Sequence, residues 1–116
     1  GQQVLKSETV EMMSVNHIGD CRVPLLKSAV PESSNDAEFF PGLEKGWGLS
    51  FMILEQDAPT GRPAGSLSWA GMANSFFWID PKNGIGGVYA TQIIPFADTK
   101  SLPLAESFES LVYQNL

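Results

Sequence analysis

Cysteine is nearly absent. Cys21 is alone in 116 residues, so no internal disulfide can form and nothing argues for an oxidising compartment or a thiolate metal cluster. Buried as a small apolar filler is the expected role of that thiol. Histidine is as scarce: His17 by itself cannot supply the usual side-chain set of a zinc site and is expected to decorate a helix end. Cations are few as well, with 7 Lys and Arg against 13 Asp and Glu for a net charge of -6. The basic residues are scattered singly, and this argues against a nucleic-acid module, which needs clustered positive charge at the phosphates. No apolar run approaches the ~18 residues of a membrane span.

Apolar residues, by contrast, are plentiful. At 43% apolar and 17% charged the chain is too apolar for a disordered tail, and its length allows one domain with one core. It opens on Gly1-Gln2-Gln3-Val4, with neither an initiator Met nor a basic-then-apolar leader, and is expected to be a fragment or a processed chain.

Ser7 as N-cap, Glu8 and Glu11 near the positive end of a helix dipole, and Leu5, Thr9, Met12 and Met13 at three- and four-residue spacing predict a helix over Glu8 to Asn16. Ile18 to Gly46 carries Gly19, Pro24, Pro31, Pro41 and Gly42 around Ser33-Ser34-Asn35-Asp36, and is expected to be a long loop with at most a short strand near Arg22 to Leu26. From Gly46 the pattern becomes period two, with apolar residues on both faces through Leu54, which predicts a strand buried on both sides. Asp57 to Gly65 is a connection, Ser66 to Ala73 resumes extended structure, and Ser75 to Ile79 leads into Asp80-Pro81-Lys82-Asn83-Gly84, where Asn-Gly tolerates positive φ and Pro81 presets its own. Ile85 to Ile94 returns as the partner strand. Pro103 in a permitted first turn, then Leu104, Phe108, Leu111 and Val112 on one face, predict an amphipathic closing helix. The fold class is thus α+β, an antiparallel sheet of about three strands flanked by an N-terminal and a C-terminal helix.

Such a sheet needs cover on both faces, and two short helices supply little. At ~25 cal/mol per Å² of apolar surface, leaving several of Trp47, Phe51, Phe76, Phe77 and Trp78 wet would forfeit an amount comparable with the stability of a domain. Further material is expected to cover them.

The common chemical signatures are missing. There is no G-x-S-x-G elbow, no phosphate-binding G-x-x-x-x-G-K-[ST] and no H-E-x-x-H, and the Gly84, Gly86, Gly87 cluster sits in a hairpin without dinucleotide spacing. Glu32, Asp36, Glu38 and Glu44 read as solvated loop charge, and Asp80 as a residue that bonds its own turn.

One stretch stands apart. Trp69-Ala70-Gly71, then Phe77-Trp78-Ile79-Asp80-Pro81, then Thr91-Gln92-Ile93-Ile94-Pro95-Phe96 resembles the late part of the β-lactamase and penicillin-binding-protein superfamily of serine hydrolases, above all its class C-like branch with the family VIII carboxylesterases. Gly46-Trp47-Gly48-Leu49-Ser50-Phe51 and the closing helix with Phe108-Glu109 and Val112-Tyr113 are similar too, and the likeness is firmest from Gly46 to Phe96. The resemblance implies that residues 1–116 are the C-terminal portion of a larger β-lactamase-like domain. It implies that the Met72 amide, just after the triad, is one oxyanion donor, that Gly71 lets substrate come close, and that Ala70 and Met72 main-chain groups hold an acyl substrate by strand-like pairing. Trp69 stands where lactamases place a carboxylate-binding lysine, which favours a neutral ester over an antibiotic. No metal and no cofactor are implied.

The resemblance also requires Ser-x-x-Lys, and no serine here has lysine three places on. Tyr113-Gln114-Asn115 matches a Tyr-x-Asn motif formally, but lies on the closing helix after the strand it should precede. Without nucleophile and base the chain alone is expected to be inactive. It would work with an N-terminal part of the same fold, in the same polypeptide or as a second chain, on a small acyl ester or amide. The rival expectation is a non-catalytic binding or assembly module of that fold, which hides its open sheet as a homo-oligomer.

Overall fold

The computed structural model describes residues 2–116. Helix α1 spans Ser7–Met13, strands β1 to β5 span Lys45–Trp47, Met52–Leu54, Leu67–Gly71, Ser75–Asp80 and Ile85–Tyr89, and helix α2 spans Ser101–Gln114. The strands form one antiparallel sheet in chain order, β1-β2-β3-β4-β5. The α+β arrangement is as the periodicity predicts, with five short strands where about three were expected.

Part of the difference lies in Leu67–Gly71 and Ser75–Asp80, which are two strands of a hairpin, and the rest arises at Gly46 to Leu54. That stretch is a hairpin, with Trp47 opposite Met52 and the Gly48 amide donating to the Phe51 carbonyl at 2.8 Å across a turn that holds Ser50 at a φ of 89°. Glycine is required at position 48 because a Cβ there would lie 2.2 Å from the Met13 carbonyl oxygen, where the segment leaving α1 runs against the hairpin.

Both helices depart from their expected detail. α1 begins at Ser7, with Lys6 as a cap that makes no side-chain bond, and none of its residues is buried. The closing helix buries Ser101, Ala105 and Glu109, whereas Leu104 and Leu111 of the expected face are 57% and 59% exposed. Ser101, Ala105 and Glu109 follow one another at four-residue spacing along the buried side, and Glu109 meets Arg62 at 3.3 Å and Thr60 from the β2–β3 connection. That ionic partner outranks the apolar stripe.

The core lies between the sheet, α2 and the long connection before β1. Met52, Leu54, Leu67 and Trp78 are buried, and the Trp78 indole packs edge-on against Phe108 of α2 at 5.6 Å. Gly87 makes room for that ring, since a Cβ there would sit 2.0 Å from the indole. The connection from residue 18 to 44 does more than solvate charge. It is pinned by isolated bridges Leu26 to Ala37 and Ser34 to Phe96, and it delivers Phe40, which clusters with Leu54 and Ala58, and Phe39, which packs on Phe76 and Phe96. Trp78 is therefore buried, and Trp47, Phe51, Phe76 and Phe77 are half-buried rather than wet. Uncovered apolar surface does remain, with Val88 on the outer strand 70% exposed. Cys21 is exposed, not a buried filler, because its segment lies outside the packed layer. No helix among the described residues is long and apolar enough to cross a membrane.

Candidate functional site

Strand β3 lies inside the sheet, yet its last residues have an open side. Its partners in β2 end at Met52, opposite Ser68, while β4 accompanies it to Gly71, opposite Ser75. The Leu54 amide donates to the Ser66 carbonyl at 3.0 Å, so even-numbered residues of this strand are those whose main chain faces β2. Ala70, the next even residue beyond Ser68, thus directs its N–H and C=O to a side where β2 has stopped. Met72 follows in the turn, with its side chain 57% exposed and its amide donating to no acceptor among the described residues.

That turn is held rigidly from behind. Asn74 takes a positive φ of 58°, is wholly buried, and donates through Nδ2 to the Ile93 and Pro95 carbonyls at 2.8 and 2.7 Å while accepting from the Asp98 amide at 2.9 Å. The Thr91 hydroxyl donates to the Ala73 carbonyl at 2.6 Å. The sequence resemblance included Thr91 without a role, and Asn74 carried only its tolerance of positive φ as a signal.

Gly71 is informative for what it does not need. Its φ is not positive, and a Cβ would meet nothing closer than the Ser75 carbonyl oxygen at 3.8 Å. Neither backbone strain nor packing within this chain demands glycine at that position. Trp69 is half-buried, T-shaped against Trp47 at 4.5 Å and tilted against Phe39 at 6.0 Å. Phe39, Trp69 and Phe76 are among the residues lining a cavity of about 40 Å³. The four residues singled out in the sequence therefore sit together, and Trp47, Phe39, Asn74 and Thr91 join them.

Tyr113 lies elsewhere. Its hydroxyl donates to Asp80 Oδ2 at 3.0 Å, and burial together with that carboxylate pushes its pKa up, which unsuits it as a base. Asp80 also accepts from the Lys82 and Asn83 amides and the Asn83 side chain. His17 Nε2 lies 2.7 Å from the Met12 carbonyl oxygen, at the end of α1. No group of three or more His, Cys, Asp or Glu placed to hold a metal occurs among the described residues.

No protein-family model matches the chain, and no curated protein matches it. Solved structures do. The unliganded simvastatin synthase LovD of Aspergillus terreus is similar at 31% identity and a TM-score of 0.61, over 63% of this chain and 19% of that one. Its LovD9 mutant is similar at 28% identity and a TM-score of 0.60 over the same shares. The chain carries part of a β-lactamase-like, serine-hydrolase fold. It spans 19% of the length of the solved chains it matches.

Proposed function

We propose that residues 1–116 form the C-terminal portion of a serine hydrolase of this fold, most like an esterase, which cleaves a small neutral acyl ester or amide through an acyl-enzyme. The observation that carries the reading is the open side of β3 from Ala70 to Met72, next to Trp69. A serine hydroxyl attacking an acyl carbonyl drives the carbonyl electrons onto oxygen, and the transition state is stabilised by N–H donors that are already in place. The Met72 amide, on a turn fixed by Asn74 and Thr91, fits that demand, and the bare Cα of Gly71 leaves space for the reacting centre. Ala70 offers main-chain pairing to the substrate. Trp69 supplies an apolar wall and one N–H in place of a cation, which suits an uncharged substrate.

The nucleophile and its base are proposed to come from an N-terminal part of the fold, in the same polypeptide or as a second chain, and the residues 1–116 alone to be inactive. A fluorophosphonate probe and a chromogenic ester test this. The chain alone is expected to stay unlabelled and inert, and a polypeptide that adds the N-terminal part of the fold, with its Ser-x-x-Lys helix and its tyrosine, to be labelled at that serine and to turn over the ester. Failure of the extended polypeptide to react with either overturns the hydrolase. The exposed Val88 and the outward stripe of α2 favour a second reading, an assembly module that forms a homo-oligomer. A symmetric assembly of this chain alone, inert to both reagents, would support it.

A further inference from the structure

The indole of Trp69 stands beside the open strand end, where one side of its own strand has no neighbour. Its support comes instead from two aromatic rings. Trp47 meets it edge-on at 4.5 Å and an interplanar angle of 85°, and Phe39 lies at 6.0 Å. Trp47 is itself fixed from the α1 side. Asn16 Oδ1 accepts from the Trp47 amide at 3.3 Å and from the Ile18 amide at 3.0 Å, its Nδ2 donates to the Gly19 carbonyl at 2.9 Å, and the His17 amide donates to the Trp47 carbonyl at 2.8 Å. Phe39 is braced by Phe76 and Phe96, each at 6.3 Å.

We propose that Trp47 and Phe39 are positioning residues, which clamp the Trp69 indole as a fixed wall of the acyl site, and that Asn16 sets Trp47 in turn. This rests on the hydrolase reading above and adds to it a division of labour. The oxyanion side of the site hangs on Asn74 and Thr91, through bonds that involve none of the clamp residues. Loosening the clamp leaves the Met72 amide in place and frees the indole to move, so that each binding event must order it again. An interaction made equally in the ground and transition states is lost, which raises KM and spares kcat.

Two measurements test the clamp. Two indoles in edge-on contact give an exciton couplet in far-ultraviolet circular dichroism. It is expected in this chain and expected to vanish in both Trp47→Phe and Trp69→Phe. Its absence from the unsubstituted chain overturns the clamp without touching the hydrolase reading. In the polypeptide that adds the Ser-x-x-Lys helix, Trp47→Leu is expected to raise KM for a neutral chromogenic ester about fivefold with kcat held within about twofold. Trp47→Phe, which keeps an aromatic edge on the indole, is expected to restore KM, and Phe39→Leu to raise it by a smaller factor; this second variant carries the test if Trp47→Leu does not fold. An unchanged KM in the leucine variants, or a fall in kcat as large as the rise in KM, overturns the proposal. An inert unsubstituted polypeptide overturns the hydrolase reading and the assigned role with it, while the couplet still reports whether the rings touch.

Discussion

The two ends of strand β4 treat their polar groups in opposite ways. At its C-terminal end Asp80 is wholly buried and accepts hydrogen bonds from Lys82, Asn83 and Tyr113, and nearby Glu109 is paired with Arg62 and Thr60. At its N-terminal end the turn from β3 leaves the Met72 amide unmatched, and the Ala70 main chain facing no strand, among the described residues. Buried polar groups are expensive unless bonded, so the bonds on Asp80 and the pairing of Glu109 make that end a structural lock, although Trp78 Nε1 and Arg62 Nε beside them have no hydrogen-bond partner among the described residues. A donor left open on a turn that other side chains have immobilised is available to something outside the chain. The contrast separates residues that hold the fold from residues offered to a ligand.

The sharpest way to break the closed end is Glu109→Ala. It leaves the Arg62 guanidinium buried without its counter-charge, and is expected to cost about 3 kcal/mol of stability, read as a lowered denaturation midpoint. Next comes Gly87→Ala, whose methyl would collide with the Trp78 ring. It is expected to cost about 2 kcal/mol by overpacking and to disturb the Trp78–Phe108 contact, visible in tryptophan fluorescence.

A pH series probes the same lock from both sides. Burial pushes the Asp80 carboxyl up, but the bonds from Asn83, Tyr113 and Lys82 outweigh it and hold the group below the ordinary carboxylate range. A lowered folded pKa stabilises above the unfolded value, about pH 4, and that contribution is lost as pH falls through the folded value. Asp80→Asn is expected to flatten this acid limb of the melting profile. Glu109 and Glu106 run the other way: burial raises both, against the attraction of Arg62. Their contribution is complete below the unfolded value and declines as pH rises toward the folded one.

Much of this contrast was legible in the sequence. Asp80-Pro81-Lys82-Asn83-Gly84 forms the turn its composition predicts, and Asp80 bonds that turn, because both signals are local. The order of β3, β4 and β5 follows from alternation and short turns. Gly46 to Leu54 misled, since its hairpin turns at Ser50 without an Asn-Gly signal and the alternation runs straight through it. The buried face of α2 was hidden for a different reason: Glu109 faces inward for a partner 47 residues away, Arg62, and no local periodicity encodes that pairing. At the site, Trp69 to Met72 could be found from their pattern, whereas Phe39 reaches Trp69 from a stretch whose prolines and glycines read only as loop.

The open end is tested most directly by Gly71→Ala. A methyl there meets only ordinary contacts within the chain, so the melting temperature is expected to hold, with a stability change under about 1 kcal/mol. In the polypeptide that adds the Ser-x-x-Lys helix, the same methyl intrudes where the acyl carbon must approach the Met72 amide, and kcat toward a neutral ester is expected to fall about 100-fold, the scale of losing an oxyanion donor. A variant as stable and as fast as the unsubstituted enzyme would contradict the assignment of this strand end to the reacting centre.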